Sequence, residues 1–184
     1  MKYSPSVRFS ILVSESTGFG QSLPYRLPSG FPAQIQCAPA GEICSLAAER
    51  PVDGLILSAE ELNTALEIVE RSYTAVLILA KDSAVPLTER CAPAGIMACT
   101  EAELSAVLPC FLAACARLRS LCTETVSLKR KLDDTRLVTR AKLLLMSRLQ
   151  MSENEAHRYI EKAAMDTCSK RREVAERIIR TYEE

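Results

Sequence analysis

The 184-residue chain has no tryptophan, a single histidine and no cysteine pair spaced C-x-x-C. His157 has no cysteine near it in sequence, so no ligand set with metal spacing is present. A glycine loop of phosphate-binding pattern is also missing, as is any Ser/His or Cys/His arrangement with its partners in place, which argues against an enzyme and against a bound cofactor. The longest apolar runs, at 76–80 and 143–146, are far too short to cross a bilayer. The opening residues lack an uninterrupted apolar segment of signal-peptide length, so the expectation is a cytoplasmic protein with reduced thiols. Net charge is absent too, with 23 Lys+Arg against 23 Asp+Glu. Taken alone, that balance speaks against a nucleic-acid partner.

The balance is a cancellation. Residues 1–122 hold 9 basic and 12 acidic residues, whereas residues 123–184 hold 14 basic and 11 acidic ones. The same final segment contains no Gly and no Pro and is rich in Leu, Ala, Lys, Arg and Glu, the composition of an all-helical region. Eight cysteines are scattered along the chain, several in apolar stretches such as Cys99, Cys110 and Cys115, where free cysteine packs as a small hydrophobe.

The front alternates short apolar strands with helical patterns. Strands are expected at Val7–Val13, Gln34–Cys37, Val52–Leu57, Ala75–Leu79 and Gly95–Ala98. Phe19, Leu23 and Leu27 suggest a short helix limited by Pro24 and Pro28, and Gly41–Arg50 another. Ser58-Ala-Glu-Glu61 and Thr100-Glu-Ala-Glu103 are capping boxes that open helices. Strands apolar throughout, each followed by a helix, imply a parallel sheet covered on both faces, a flavodoxin-like doubly wound α/β domain.

That order resembles the receiver domain of bacterial response regulators, and the resemblance assigns roles to the strand ends. Where receivers carry an acidic pair after the first strand, this chain has Ser14 and Glu15. The run Asp53-Gly-Leu-Ile-Leu-Ser58 keeps a first aspartate but has serine at the phosphoacceptor position. Ala80 replaces the small hydroxyl residue after the fourth strand, and Cys99-Thr100 replaces the lysine-proline after the fifth. Aspartyl phosphorylation needs carboxylates to hold a divalent cation and to accept the phosphoryl group. The resemblance therefore implies a degenerate receiver that takes no phosphate; a plain small α/β module is the other reading.

The helix that begins near Thr100 meets Pro109, which is expected to disturb it, yet its apolar pattern continues. From Leu118 the spacing becomes three-four through Leu121, Thr125, Leu128 and Leu132, a short coiled-coil seam suited to a homodimer. One long helix packed on its own domain fits the same residues. The expected organisation is α/β plus all-α: a receiver-like domain at 1–116, a helical connector at 117–135 and a three-helix module at 136–184.

In that module the first helix carries Val138, Ala141, Leu144 and Leu145, a third capping box at Ser152-Glu-Asn-Glu155 opens the second, and Val174, Ala175, Ile178 and Ile179 mark the third. Met146 and Met165 are expected in its core. The blocks Arg140-Ala-Lys-Leu-Leu-Leu-Met146, Met151-Ser-Glu-Asn-Glu-Ala156, Ala163-Ala-Met-Asp166 and Val174-Ala-Glu-Arg-Ile-Ile179 resemble, in order and spacing, the ANTAR domain. Leu149-Gln150 stands where that family has His-Gly, so a left-handed helix end must be made without glycine. The resemblance implies an RNA-binding antitermination regulator that grips hairpin loops of nascent leader transcripts. Phosphate neutralisation would come from Lys142 first, then Arg140 and Arg148, with Arg136, Lys170, Arg171 and Arg172 nearby and Tyr159 able to stack on a splayed base. Each cation fits a solvated helix face equally well. A protein-interaction adaptor without RNA activity is the alternative from another class, a DNA-binding helical tail a weaker third, and a regulatory protein partner is compatible with any of them.

Overall fold

The computed structural model describes residues 8–27, 31–82 and 84–183, which fall into two compact units, 1–122 and 123–184. Val7 and Pro28, named above, lie outside the described residues.

In the first unit, β1 (Phe9–Ser14), α1 (Leu23–Arg26), β2 (Ala33–Ala38), α2 (Ile43–Glu49), β3 (Gly54–Ser58), α3 (Leu62–Arg71), β4 (Ala75–Ala80), α4 (Val85–Cys91) and β5 (Met97–Thr100) follow in order, and α5 (Leu104–Leu149) starts beyond them. The sheet is entirely parallel with strand order β2-β1-β3-β4-β5, the flavodoxin-like arrangement. Alternation along each strand sends side chains to two cores. Ile11, Val13, Ile56, Leu77 and Leu79 meet Leu23 and the first turns of α5, whereas Leu12, Leu55, Leu57, Val76 and Ile78 meet α2, α3 and α4.

Gly54 explains how closely α5 approaches. A Cβ built there would stand 2.7 Å from both Cys115 Sγ and Phe111 Cζ, so only glycine lets the helix seat on β3. Asp53, just before that glycine, accepts from Ser10 N at 2.8 Å and from Arg119 Nη1 at 3.0 Å, and the Arg119 guanidinium lies 5.3 Å above the Phe9 ring. This aspartate ties α5 to the amino-terminal edge of the sheet, the end opposite Ser58.

Several sequence expectations shift. The last strand begins at Met97 rather than Gly95, because Gly95 takes φ 71° to close the preceding turn. Pro24 is accommodated in the first turn of α1, where a missing N–H costs nothing. Pro109 does not disturb α5 as expected, because it faces solvent, where water can satisfy the carbonyl one turn back. The expected core cysteines divide: Cys91, Cys99 and Cys115 are buried, and burial pushes the Cys115 thiol up to about 12, but Cys37, Cys44, Cys110 and Cys168 are exposed. By length and composition α5 could span a membrane, contrary to the run-length reading; its apolar face is instead the inner face of the first unit, through Leu104, Leu108, Phe111 and Leu112.

The second unit holds the end of α5 with α6 (Glu153–Asp166) and α7 (Arg171–Tyr182). Ala141, Leu145, Ala156, Ile160, Ala164, Val174, Ala175 and Ile178 form its core, and half of them are alanines, which lets three short helices approach closely. Met146 packs against this core, but Met165 is 77% exposed, one position past the buried Ala164 and outside the core. The third capping box forms as spaced: Ser152 N and Oγ both donate to Glu155 Oε2, at 2.8 and 2.7 Å, which holds the Glu155 carboxyl below its usual range.

Gln150 closes α5 in the left-handed region at φ 53°, its amide donating to Ser147 O at 3.2 Å. A non-glycine residue is strained there, so Gln150→Gly is expected to stabilise the second unit by about 1 kcal/mol. In a unit this small the melting temperature should rise by several degrees; a fall would mean that the side-chain bond to Ser147 outweighs the backbone strain.

Candidate functional site

Two places concentrate polar chemistry. The first is the carboxyl end of the sheet, where Ser14, Ser58 and Ala80 are the last residues of β1, β3 and β4. The structure joins two of the expected positions through a residue that the sequence marked only as a helix cap. Glu61, buried, accepts from Ser14 Oγ at 2.7 Å through one carboxylate oxygen, and from both Ser58 N and Ser58 Oγ at 2.9 Å through the other. A carboxylate just ahead of α3 thus bridges the ends of two strands through hydrogen bonds.

The remaining positions stay apart from that bridge. Glu15 is exposed, and Cys99 points into the core, its thiol pushed up to about 11 by burial with a smaller contribution from the Glu103 charge. Thr100 closes its capping box with Glu103. A cation does reach this end, but from the segment after β4: Lys81 pairs with Glu60 at 3.0 Å. Ser16, Thr17, Ser58, Ala80, Lys81 and Asp82 line a depression of about 390 Å3 beside the bridge.

The second place is a cleft of about 910 Å3 in the second unit, between α5, α6 and the start of α7. Of the RNA-contact candidates singled out from sequence, Lys142, Lys170, Arg171 and Arg172 line it; Arg136, Arg140, Arg148 and the aromatic Tyr159 do not. Arg130 and His157 join the lining, with Val138, Ala164 and Met165 as its apolar part. Arg130 could have been found by four-residue steps along α5, which link it through Asp134 and Val138 to Lys142.

Most of these cations are already paired. Lys142 Nζ lies 2.7 Å from Glu153 Oε1 with its side chain only 19% exposed, and that contact holds the Glu153 carboxyl below its usual range. Arg172 clamps α5 to α7, 2.8 Å from Asp134 and 2.9 Å from Glu176, and these bonds push its guanidinium further up. Arg171 meets Glu161 at 3.4 Å, Arg140 is held by both carboxylate oxygens of Glu183, and Arg136 stands 3.8 Å from Asp133. Arg148 and Lys170 are exposed and make no ion pair among the described residues. Along the expected seam, Leu118 packs against the first unit's core, whereas Leu128 and Leu132 are 64% and 51% exposed.

Residues 127–179 match the ANTAR domain family. The transcriptional regulatory protein PdtaR, from two strains of Mycobacterium tuberculosis, is 31% identical over 125 residues, covering 65% of this chain and 61% of the relative. The chain therefore spans about 61% of the length of the curated relatives that it matches. Together with the flavodoxin-like sheet, the matches describe a receiver-like α/β unit followed by an ANTAR domain.

Proposed function

From the ANTAR domain at 127–179, we propose that this chain is an RNA-binding transcription antitermination regulator that grips hairpin loops in nascent leader RNA and stabilises an antiterminator against a terminator. The observation that carries the reading is that the matched segment falls within the basic second unit. Its work is binding, in the cytoplasm, not catalysis. Functionally the chain divides into a receiver-like domain at 1–116, a helical connector at 117–135 and the RNA module at 136–184, with Lys142, Lys170, Arg171 and Arg172 facing the RNA and Arg140, Arg148, Arg136 and Tyr159 flanking it.

The receiver-like domain takes no phosphoryl group. Ser58 holds the acceptor position and Glu61 the space of the acidic pocket, so a protein partner, a small ligand or concentration supplies the input. Pairing of two chains through α5 would cover Leu128 and Leu132 and set two RNA modules side by side.

The test is a titration of the full chain with RNAs carrying two hairpins with randomised loops, at two salt concentrations. Affinity should fall by about 0.7 log units per log unit of salt for each single-strand phosphate contact. Absence of binding at low salt would overturn the reading, and duplex DNA competing as well as the RNA would replace it with a DNA-binding one.

A further inference from the structure

The cleft of the second unit sets basic residues against acids of its own. Arg130, Lys142, Lys170, Arg171 and Arg172 line it, and Asp134 and Glu161 stand among them. The paired cations are not held alike. Lys142 and Arg172 make short contacts of 2.7–2.9 Å with side chains at most 38% exposed, and the Arg172 pair braces one helix against another. Arg171 is different: at the first position of α7, 61% exposed, it meets Glu161 at 3.4 Å, longer than a good charge-assisted hydrogen bond. Exposed pairs of this kind contribute little to stability and exchange partners readily. Glu161 is also 3.5 Å from His157 Nε2, one turn earlier on α6, so its carboxylate sits between two cleft-lining groups. Arg130 and Lys170 have no ion-pair partner among the described residues.

An RNA backbone entering this cleft meets two kinds of cation. Those without a carboxylate accept a phosphate at once. An arginine held by a carboxylate binds phosphate only by giving up that partner, and guanidinium favours the exchange because phosphate offers it a bidentate contact. Resting on the RNA-binding reading above, we propose that Glu161 is a built-in competitor for RNA phosphate, holding Arg171 in the free protein and releasing it on binding, while Arg130 and Lys170 make the first contacts. Glu161 then sets RNA affinity below what the cleft's cations alone would reach, a negative control over binding placed inside the binding surface. Asp134 does not serve this purpose, because the Arg172 that it holds is also held by Glu176.

The experiment compares the full chain with Glu161→Gln, Glu161→Asp, Arg171→Ala and Glu161→Gln/Arg171→Ala, using fluorescently labelled two-hairpin RNA with randomised loops across a salt series. Helix content and melting temperature are followed in parallel. Glu161→Gln should bind about two- to fivefold tighter near 0.1 M salt, because Arg171 no longer gives up an exposed ion pair to meet phosphate. Its salt dependence should steepen, because the carboxylate released in the wild type takes up a counterion on binding that the amide does not. Glu161→Asp, which keeps the charge, should stay near wild type, and the gain should vanish when Arg171 is also removed. A Glu161→Gln protein that folds but binds no tighter overturns the proposal, as does a gain that survives loss of Arg171, which would be general charge removal rather than exchange. Wild-type protein that binds no RNA overturns the RNA reading and this inference with it, whereas wild-type binding with an unresponsive Glu161 overturns only the inference.

Discussion

Replacing Ser58 by aspartate is expected to unfold the first unit rather than to restore a phosphoacceptor. Ser58 is buried, and both its hydroxyl and its N–H donate to one oxygen of Glu61 at 2.9 Å, while Ser14 donates to the other at 2.7 Å. An aspartate removes the hydroxyl donor and sets a second carboxylate against the first, inside a site with little water to screen them. Uncompensated buried charge of this kind costs about 3–5 kcal/mol, a large share of a domain's whole stability. Urea denaturation at neutral pH should show that loss.

The sign of the pH dependence follows from the same crowding. Two adjacent buried carboxyls favour a bound proton in the folded state, so a folded-state value raised above the unfolded one makes the stability present at low pH and lost as pH rises. Acidification should therefore restore Ser58→Asp, and Ser58→Asp/Glu61→Gln should recover at neutral pH because the amide supplies a donor. A Ser58→Asp protein as stable as wild type would show that Glu61 leaves the pocket freely and does not hold the strand ends together. Acetyl phosphate with magnesium should leave the mass of the wild-type chain unchanged; an adduct on the first unit would contradict the reading of Ser58.

Leu145→Ala should have an effect of similar size on the other unit. Leu145 is fully buried in a core of eight residues, of which Ala141, Ala156, Ala164 and Ala175 contribute little volume. The larger buried side chains of that core are Leu145, Ile160, Val174 and Ile178. Truncating a buried leucine costs about 2–5 kcal/mol, and a unit near 60 residues has little stability in reserve. The expected result is a thermal transition lost from the second unit, with α6 and α7 detached from α5 and RNA binding abolished. The first unit, whose two cores share no residue with this one, should melt as before. RNA binding that survives Leu145→Ala unchanged would mean that recognition does not require the packed module.

The fold was largely legible because its signals are local. Apolar strands at short intervals, the capping boxes at Ser58, Thr100 and Ser152, and the Gly- and Pro-free tail each act through neighbours within a turn or two. What escaped was whatever depended on direction. Met165 and Cys110 look like core residues by composition, yet both are exposed. Pro109 looks like a break, yet it falls where water replaces its lost hydrogen bond. Gln150 stands where glycine is easier, and the chain takes the left-handed turn regardless.

By itself the sequence determined the order of elements, the covered parallel sheet and a helical basic end, because periodicity and capping are properties of short segments. Only the tertiary structure decided which charges meet. Glu61 joins Ser14 across 47 residues, Arg172 joins Asp134 across 38, and Lys142 and Arg171 acquire the carboxylates of Glu153 and Glu161. These pairings depend on how strands align and helices cross, which no spacing along one segment encodes, and they turn a row of candidate cations into a cleft with its own counter-charges.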